Sequence, residues 1–406
     1  MKGTAQMPEA VIVSAVRSPI GRAYKGSLAG VRADDLAAQV VRLALDRVPA
    51  LDPSTLDDLM LGCAQPAGEQ GYNLGRQVAM QLGYDMVPGT TVHRYCASSL
   101  QAIRMAFHAI KAGEGHAFVA AGVEVVSHYP AGKSDGMPGT RNPRFDGVTG
   151  SRPGVPWSDP RERGELPDVY IGMGETAENV AELCGISRLE QDEFAVRSQN
   201  NAEKALADGF WDRDITPVTL PDGTVLRADD GPRAGVTLDK VAALQPAFRP
   251  DGTVTAANCC PLNDGAAALV VLSDTRAREL GLTPLARIVS TGVSALSPEI
   301  MGLGPVEASR RALAHAGMGI GDIDLVEINE AFAAQVIPAY RQIGADLDRV
   351  NVHGGAIAVG HPFGMTGARI ATTLLNGLVH RDAQFGLETM CTAGGQGMAM
   401  IIERLS

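Results

Sequence analysis

Aromatic residues make up only 4% of this 406-residue chain, so ring stacking cannot be what organises its interior. Glycine is abundant instead, at 47 residues, which points to close backbone packing. Cysteine is sparse. The six present (Cys63, Cys96, Cys184, Cys259, Cys260 and Cys391) contain no CxxC pair and are far too few for a disulfide scaffold. They read as reduced thiols of a cytoplasmic protein. There is no excess of positive charge: 35 Lys and Arg stand against 46 Asp and Glu, a net charge of −11. That balance excludes a general nucleic-acid binder, which needs a basic face to neutralise phosphates.

Long apolar runs are missing as well. The uncharged run from Asn351 to Ala368 has the length of a membrane span but carries five glycines, a proline and two histidines, so none is expected. The N-terminal MKGTAQMPEA has neither a signal-peptide core nor an Arg-rich transit pattern, and the terminal ERLS is not a peroxisomal address. No HExxH, EF-hand loop, GxxxxGK[ST] or strand–GxGxxG–helix occurs. A metal site is therefore not expected, and nicotinamide or ATP chemistry has no support.

What remains is a composition of 45% apolar and 20% charged residues, that of a soluble globular protein long enough for two or three domains. Short β-branched runs alternate with amphipathic helical stretches, the pattern of an α/β protein with largely parallel sheets. Strands are predicted at 10–16, 57–63, 90–95 and 116–127, with helices at 33–48 and from Cys96 to Ala112. The stripe Cys96, Leu100, Ile103, Phe107 and Ile110 has the helical spacing of four, three, four and three. The last third repeats the order: strand 285–295, helix 305–317, strand into helix 322–333, VNVHGG at 350–355, helix 366–380 and two strands within 385–403. Strand–helix–strand–strand–helix–strand thus occurs twice, the mark of a duplicated architecture. Between the two lies a segment of another kind. Of the 39 residues 130–168, fourteen are Gly or Pro and five are Arg, which predicts loop. A helical stretch at 174–208 follows, and an excursion of this length reads as a lid or binding subdomain. Its arginines suit an anionic ligand, or are ordinary solvated charges.

Four residues have the chemistry of a reaction site. Cys96 follows a strand and opens a helix, where free N–H groups and the positive helix end favour a thiolate. His361 lies in the glycine-rich GGAIAVGHPFGMTGAR, placed to act as a base or to donate to an oxyanion. Cys391 ends a strand beside a flexible turn in ETMCTAGGQG, and Asn329 in INEAF can fix a water or a substrate oxygen. Taken singly, each has an ordinary structural reading: a small buried hydrophobe, a tight-turn histidine, a core cysteine, a helix cap.

Together they do not. CASSLQA from Cys96, NEAFA at 329–333, GGAIAVGHPFGMTGAR at 354–369 and CTAGGQG at 391–397 occur in the order of the thiolase signatures, and the chain resembles that family from about Glu9 to Arg404. The resemblance implies two similar α/β halves, 1–276 and 277–406, that together form five layers, with a loop domain (about 128–255) inserted in the first. It implies reversible, coenzyme A-dependent cleavage of 3-ketoacyl-CoA to acetyl-CoA and a shortened acyl-CoA. Cys96 would be the acylated nucleophile, activated by His361, and Cys391 the acid and base at the α-carbon. Asn329 would hold a water that forms an oxyanion hole with His361, and the N–H groups of Cys96 and residue 393 a second. Arg233 would lie near the nucleotide end of coenzyme A, Met173, Phe248, Ala256 and Phe332 along its pantetheine and acyl parts, and Cys260 in the CoA-binding loop. No tightly bound cofactor is implied, and a homodimer or homotetramer is expected.

Four positions depart from the commonest family pattern. Cys260 replaces a frequent serine, Gly172 stands where short-chain biosynthetic members often have histidine, Ala393 replaces a glycine, and His93 replaces a small polar residue. The first two favour a degradative 3-ketoacyl-CoA thiolase of fatty-acid or related acyl breakdown over an acetoacetyl-CoA-specific acetyltransferase. A ketosynthase is disfavoured by Cys391, and a catalytically silent acyl-CoA-binding relative by the intact set Cys96, His361, Asn329 and Cys391.

Overall fold

A computed structural model describes residues 7–150 and 155–406. The start of the N-terminal segment and residues 151–154 of the Gly/Pro/Arg-rich stretch lie outside that set. Nine main strands carry the fold: β1 (Ala10–Arg17), β2 (Asp58–Gly62), β3 (Gly89–Val92), β4 (Ala117–Val125), β5 (Asn263–Ser273), β6 (Ala286–Ala295), β7 (Leu325–Ile328), β8 (Phe385–Thr392) and β9 (Gln396–Arg404). In the first half they pair in the order β3–β2–β4–β5–β1, and in the second in the order β7–β8–β9–β6. The two sheets meet where β1 and β6 run antiparallel, Val11 opposite Arg287 and Ile12 opposite Ala286.

The duplication is visible in the pairing. Parallel β2–β4 and antiparallel β4–β5 in the first half match parallel β7–β8 and antiparallel β8–β9 in the second. One element departs from the sequence reading. Residues 350–355 form no strand; Val350 makes only an isolated parallel bridge to Val326, at the place that β3 occupies beside β2. The tight turn at Asn351, with φ of +46°, and the two glycines after it end the extended run.

Helices complete five layers. The helices Ala33–Asp46 (α1) and Leu74–Gln81 (α2) cover the outer face of the first sheet, and Gly304–Ala316 (α5) and Ala333–Ile343 (α6) that of the second. Between the sheets lie α3 (Ser98–Ala112) and Thr366–His380 (α7), packed in one core with side chains from both sheets. The expected stripe of α3 holds: Leu100, Ile103 and Ile110 are buried there, with Cys96 and Phe107 packed against them. Gly367 marks the closest approach of α3 and α7, since a Cβ there would lie 2.4 Å from the Leu100 nitrogen. A sandwiched helix pair places the N-terminal ends of α3 and α7, each preceded by a signature motif, side by side.

The stretch expected as one helix at 174–208 is two, Met173–Cys184 (α4) and Arg188–Ala207. Gly185 in the left-handed region ends the first, and a Ser187–Glu190 capping box starts the second. Strand β5 carries no period-two signal and was not legible as a strand: all eleven residues of NDGAAALVVLS are buried. Among the described residues no helix is long and apolar enough to cross a membrane.

Candidate active site

Cys96 stands in a 3-10 turn, Tyr95–Ala97, immediately before α3 rather than inside it. Tyr95 holds φ of +43°, an uncommon conformation for a tyrosine, and Ser98 braces the turn by donating to the Tyr95 carbonyl at 2.6 Å and accepting from the Arg94 N–H at 2.9 Å. The N–H groups of Cys96 and Ala393 both lower the pKa of the Cys96 thiol. Burial outweighs them and pushes it up to about 12, so the sequence expectation of a favoured thiolate is corrected: in the free protein Cys96 is a thiol.

His361 is 1% exposed and lies just before α7. Its Nδ1 is 2.6 Å from Thr366 Oγ1, which donates its own proton to the Pro362 carbonyl at 2.7 Å. Nδ1 therefore carries the ring proton, and Nε2 is left as the acceptor, 3.3 Å from Asn329 Nδ2. Burial, aided by the charge of Arg369, lowers the imidazole to about 3 and keeps it neutral. A neutral imidazole and a neutral thiol have a measurable consequence. Alkylation of Cys96 by iodoacetamide is expected to be slow at pH 6 and to climb through pH 9 without levelling off. A rate already on a plateau from pH 6 would indicate a preformed thiolate–imidazolium pair instead.

Asn329 is fully buried, its N–H bonded to the Thr389 carbonyl at 3.0 Å and its Oδ1 without a hydrogen-bond partner among the described residues. Cys391 is fully buried at the end of β8 and paired with Gly397. Burial raises its thiol well above the usual range, and a negative charge on Cys96 would raise it further; the strand itself packs against the Cys96 turn. The four motifs thus converge on one centre. Ala393 is accommodated without strain, because the left-handed positions of its turn are Gly394 and Gly395. His93 also finds its place: its ring packs edge-on against Tyr95 at 4.5 Å.

The expected coenzyme A contacts divide into two groups. Arg233 and Ala256 line one cavity of about 310 Å³, together with Arg22, Gln199 and Lys240. Arg22 and Lys240 went unnoticed in the sequence, being single cations brought to Arg233 only by folding. Met173 and Phe332 instead share an apolar cluster with Cys391 and Cys259, and Phe248 packs edge-on against Phe332 at 6.0 Å. Cys260 is not among the residues lining that cavity; its N–H donates to the Ala331 carbonyl at 3.0 Å, and burial raises its thiol well above the usual range. Among the described residues no group of three or more His, Cys, Asp or Glu side chains is arranged to hold a metal ion.

Comparison with known proteins bears on this arrangement. The family model of the thiolase N-terminal domain matches residues 10–275, and that of the thiolase C-terminal domain residues 282–404. A beta-ketoadipyl-CoA thiolase of Escherichia coli is 44% identical over 408 residues, covering 98% of this chain and all of that one. An acetyl-CoA acetyltransferase of Cupriavidus necator is 45% identical and a 3-ketoacyl-CoA thiolase of Bacillus subtilis 43%, each over 98% of this chain and the whole of the relative. The crystal structure of the Bacillus anthracis acetyl-CoA acetyltransferase superposes with a TM-score of 0.86 at 39% identity, over 98% of this chain and 99% of that one. Matched in both halves and over its full length, the chain belongs to the thiolase family and is an acyltransferase of that class.

Proposed function

We propose that this thiolase cleaves 3-ketoacyl-CoAs of more than one chain length, in fatty-acid or related acyl degradation. The reading rests on the convergence of Cys96, His361, Asn329 and Cys391. Cys96 gives its proton to His361 Nε2, and Sγ attacks the keto carbon. The N–H groups of Cys96 and Ala393 receive the developing oxyanion, in a buried site where aimed donors count for most. The bond between C2 and C3 then breaks, leaving the acyl group on Cys96. The departing acetyl-CoA enolate is held by protonated His361 and a water on Asn329, and Cys391 protonates it at C2. The proton on His361 restores Cys391. Coenzyme A then gives its thiol proton to His361 and attacks the acyl thioester, and Cys96 leaves and recovers that proton.

Gly172, where short-chain members often carry histidine, is a solvent-exposed helix cap with open space around it, and its lack of a side chain supports the broader substrate range. A second reading, an acetoacetyl-CoA-specific acetyltransferase, is favoured by the Cupriavidus necator relative, which is as similar as the 3-ketoacyl thiolases. Coenzyme A-dependent loss of enolate absorbance separates them. Cleavage of both acetoacetyl-CoA and 3-ketodecanoyl-CoA, faster for the longer, is expected; cleavage of the C4 substrate alone would move the enzyme to the second reading.

Arg233, Arg22 and Lys240 give the cavity a cationic lining suited to the phosphates of coenzyme A. Arg233→Ala is expected to raise KM for coenzyme A about tenfold with kcat within about twofold, the signature of lost ground-state binding. An unchanged KM would remove Arg233 from the site. For the assembly, Tyr72 (94% exposed) and Met86 (86%) flank the open edge of β3, and an apolar rim on an unpaired strand suits a second copy of the chain. A homodimer or homotetramer is expected in light scattering; only a 42.4 kDa species would contradict it. Six free cysteines fit a reducing, cytoplasmic setting.

A further inference from the structure

The segment that carries His361 has no regular structure of its own between Gly360, with φ of +114°, and the 3-10 turn at Phe363, yet it must hold Nε2 in place. Three fully buried side chains bond directly to its backbone. Ahead of the histidine, the Ile357 N–H donates to Glu330 Oε2 at 3.1 Å. At the histidine, the His361 N–H donates to Asn263 Oδ1 at 3.0 Å. Beyond it, the Gly364 N–H donates to Glu124 Oε2 at 2.8 Å.

Each anchor is fixed by other parts of the fold. Glu124 also accepts from the Ala64 N–H at 2.7 Å, Gln70 Nε2 at 2.9 Å and the Tyr129 hydroxyl at 2.9 Å. Glu330 also accepts from Ser198 Oγ at 2.6 Å and Asn351 Nδ2 at 2.8 Å, and Ser198 Oγ in turn accepts from the Gly355 N–H at 3.1 Å. Asn263 donates its amide to the Gly21 carbonyl at 3.0 Å. Glu124 thus ties the segment to the first half, Glu330 to the second half and the inserted helices, and Asn263 to β5.

We propose that Glu124 and Glu330 are positioning residues that clamp the His361 segment from its two sides, with Asn263 as the middle anchor. A carboxylate is required at both ends because only it offers two acceptor oxygens to convergent donors. Glutamine would turn one oxygen into an N–H group facing a donor. At Glu124 that donor is Gln70 Nε2, which cannot flip, because Gln70 Oε1 already accepts from the Val125 N–H at 2.8 Å. At Glu330 it is Asn351 Nδ2, whose partner Oδ1 is held by the Ile328 N–H at 2.8 Å. In a catalytic site a displacement of about 1 Å is enough to cost on the order of 100-fold in rate.

The proposal rests on His361 as the base for Cys96, and the test separates the two claims. Iodoacetamide labelling of Cys96, read by peptide mass spectrometry, is compared in the full-length enzyme, in Glu124→Gln and Glu330→Gln, in His361→Ala, and in each double variant. Each glutamine variant is expected to slow labelling at least about tenfold when His361 is present and less than about twofold when it is alanine. It should also lower kcat with KM within about twofold. The same factor in both backgrounds, or no slowing in the first, overturns the clamp while His361 keeps its role. If His361→Ala itself leaves labelling unchanged, the base assignment fails and the clamp falls with it. Should a glutamine variant not fold, Tyr129→Phe and Ser198→Ala remove one donor from each carboxylate and leave the carboxylates in place. These are expected to slow labelling two- to fivefold with His361 and not without it; equal slowing in both backgrounds overturns the proposal.

Discussion

Cys96→Ser is expected to lower 3-ketoacyl-CoA cleavage at least about 10⁴-fold while leaving the fold intact. The size follows from the position of the sulfur. A hydroxyl at this place meets the same two N–H groups and the same neutral imidazole, but it is a far poorer nucleophile and a harder group to deprotonate. Burial already holds the thiol up to about 12, so nothing in the site remains to compensate for a less acidic group. The exchange replaces one atom in a turn braced by Ser98, and the melting temperature should move by no more than a few degrees. A Cys96→Ser variant retaining a tenth of the activity would remove Cys96 from the chemistry.

Cys391→Ala should divide the reaction in two. Acylation of Cys96 by a thioester does not need a proton at the α-carbon and should stay within about fivefold, whereas exchange of deuterium into acetyl-CoA C2 should fall about 10³-fold, the range of a lost general acid and base. The structure supports that division. Cys391 is fully buried on a strand that packs against the turn carrying Cys96. Its raised thiol pKa has a sign that suits the role, since a protonated Cys391 is the form that delivers a proton to the enolate. Retained exchange in the variant would count against this assignment.

The residues of the site were legible because each stands in a run of turn-forming or motif residues. His361 announces itself among five glycines, and Cys96 at the junction of strand and helix. The α/β class and the duplicated order followed from periodicity, with the exceptions where periodicity carries no information. Strand β5 is buried on both faces and rich in alanine, so neither the two-residue nor the 3.6-residue pattern marks it. Gly185 broke a stretch that composition made look continuous, and at Val350 the chain turned away after a single bridge. Protonation was the least legible property. The local argument for a Cys96 thiolate was sound as far as its two N–H groups went, but burial sums over many distant residues. The anchors Glu124 and Asn263 left a weak trace that only the folded structure makes readable: a lone carboxylate in the apolar run AFVAAGVEV and a lone amide at the head of β5. Arg233 was legible only through the family resemblance, and Arg22 and Lys240 left no trace, being separated in sequence and brought into one cavity lining only by folding.

The central claim is an acyl group carried on Cys96, and acid-quenched peptide mass spectrometry tests it most directly. The enzyme is mixed with acetoacetyl-CoA without free coenzyme A, quenched within a turnover and digested. An acetyl group on the peptide containing Cys96, discharged when coenzyme A is added before the quench, is the expected result. Cleavage of the substrate with Cys96 unmodified at every time, or with the acetyl group on Cys260 or Cys391 instead, would contradict it.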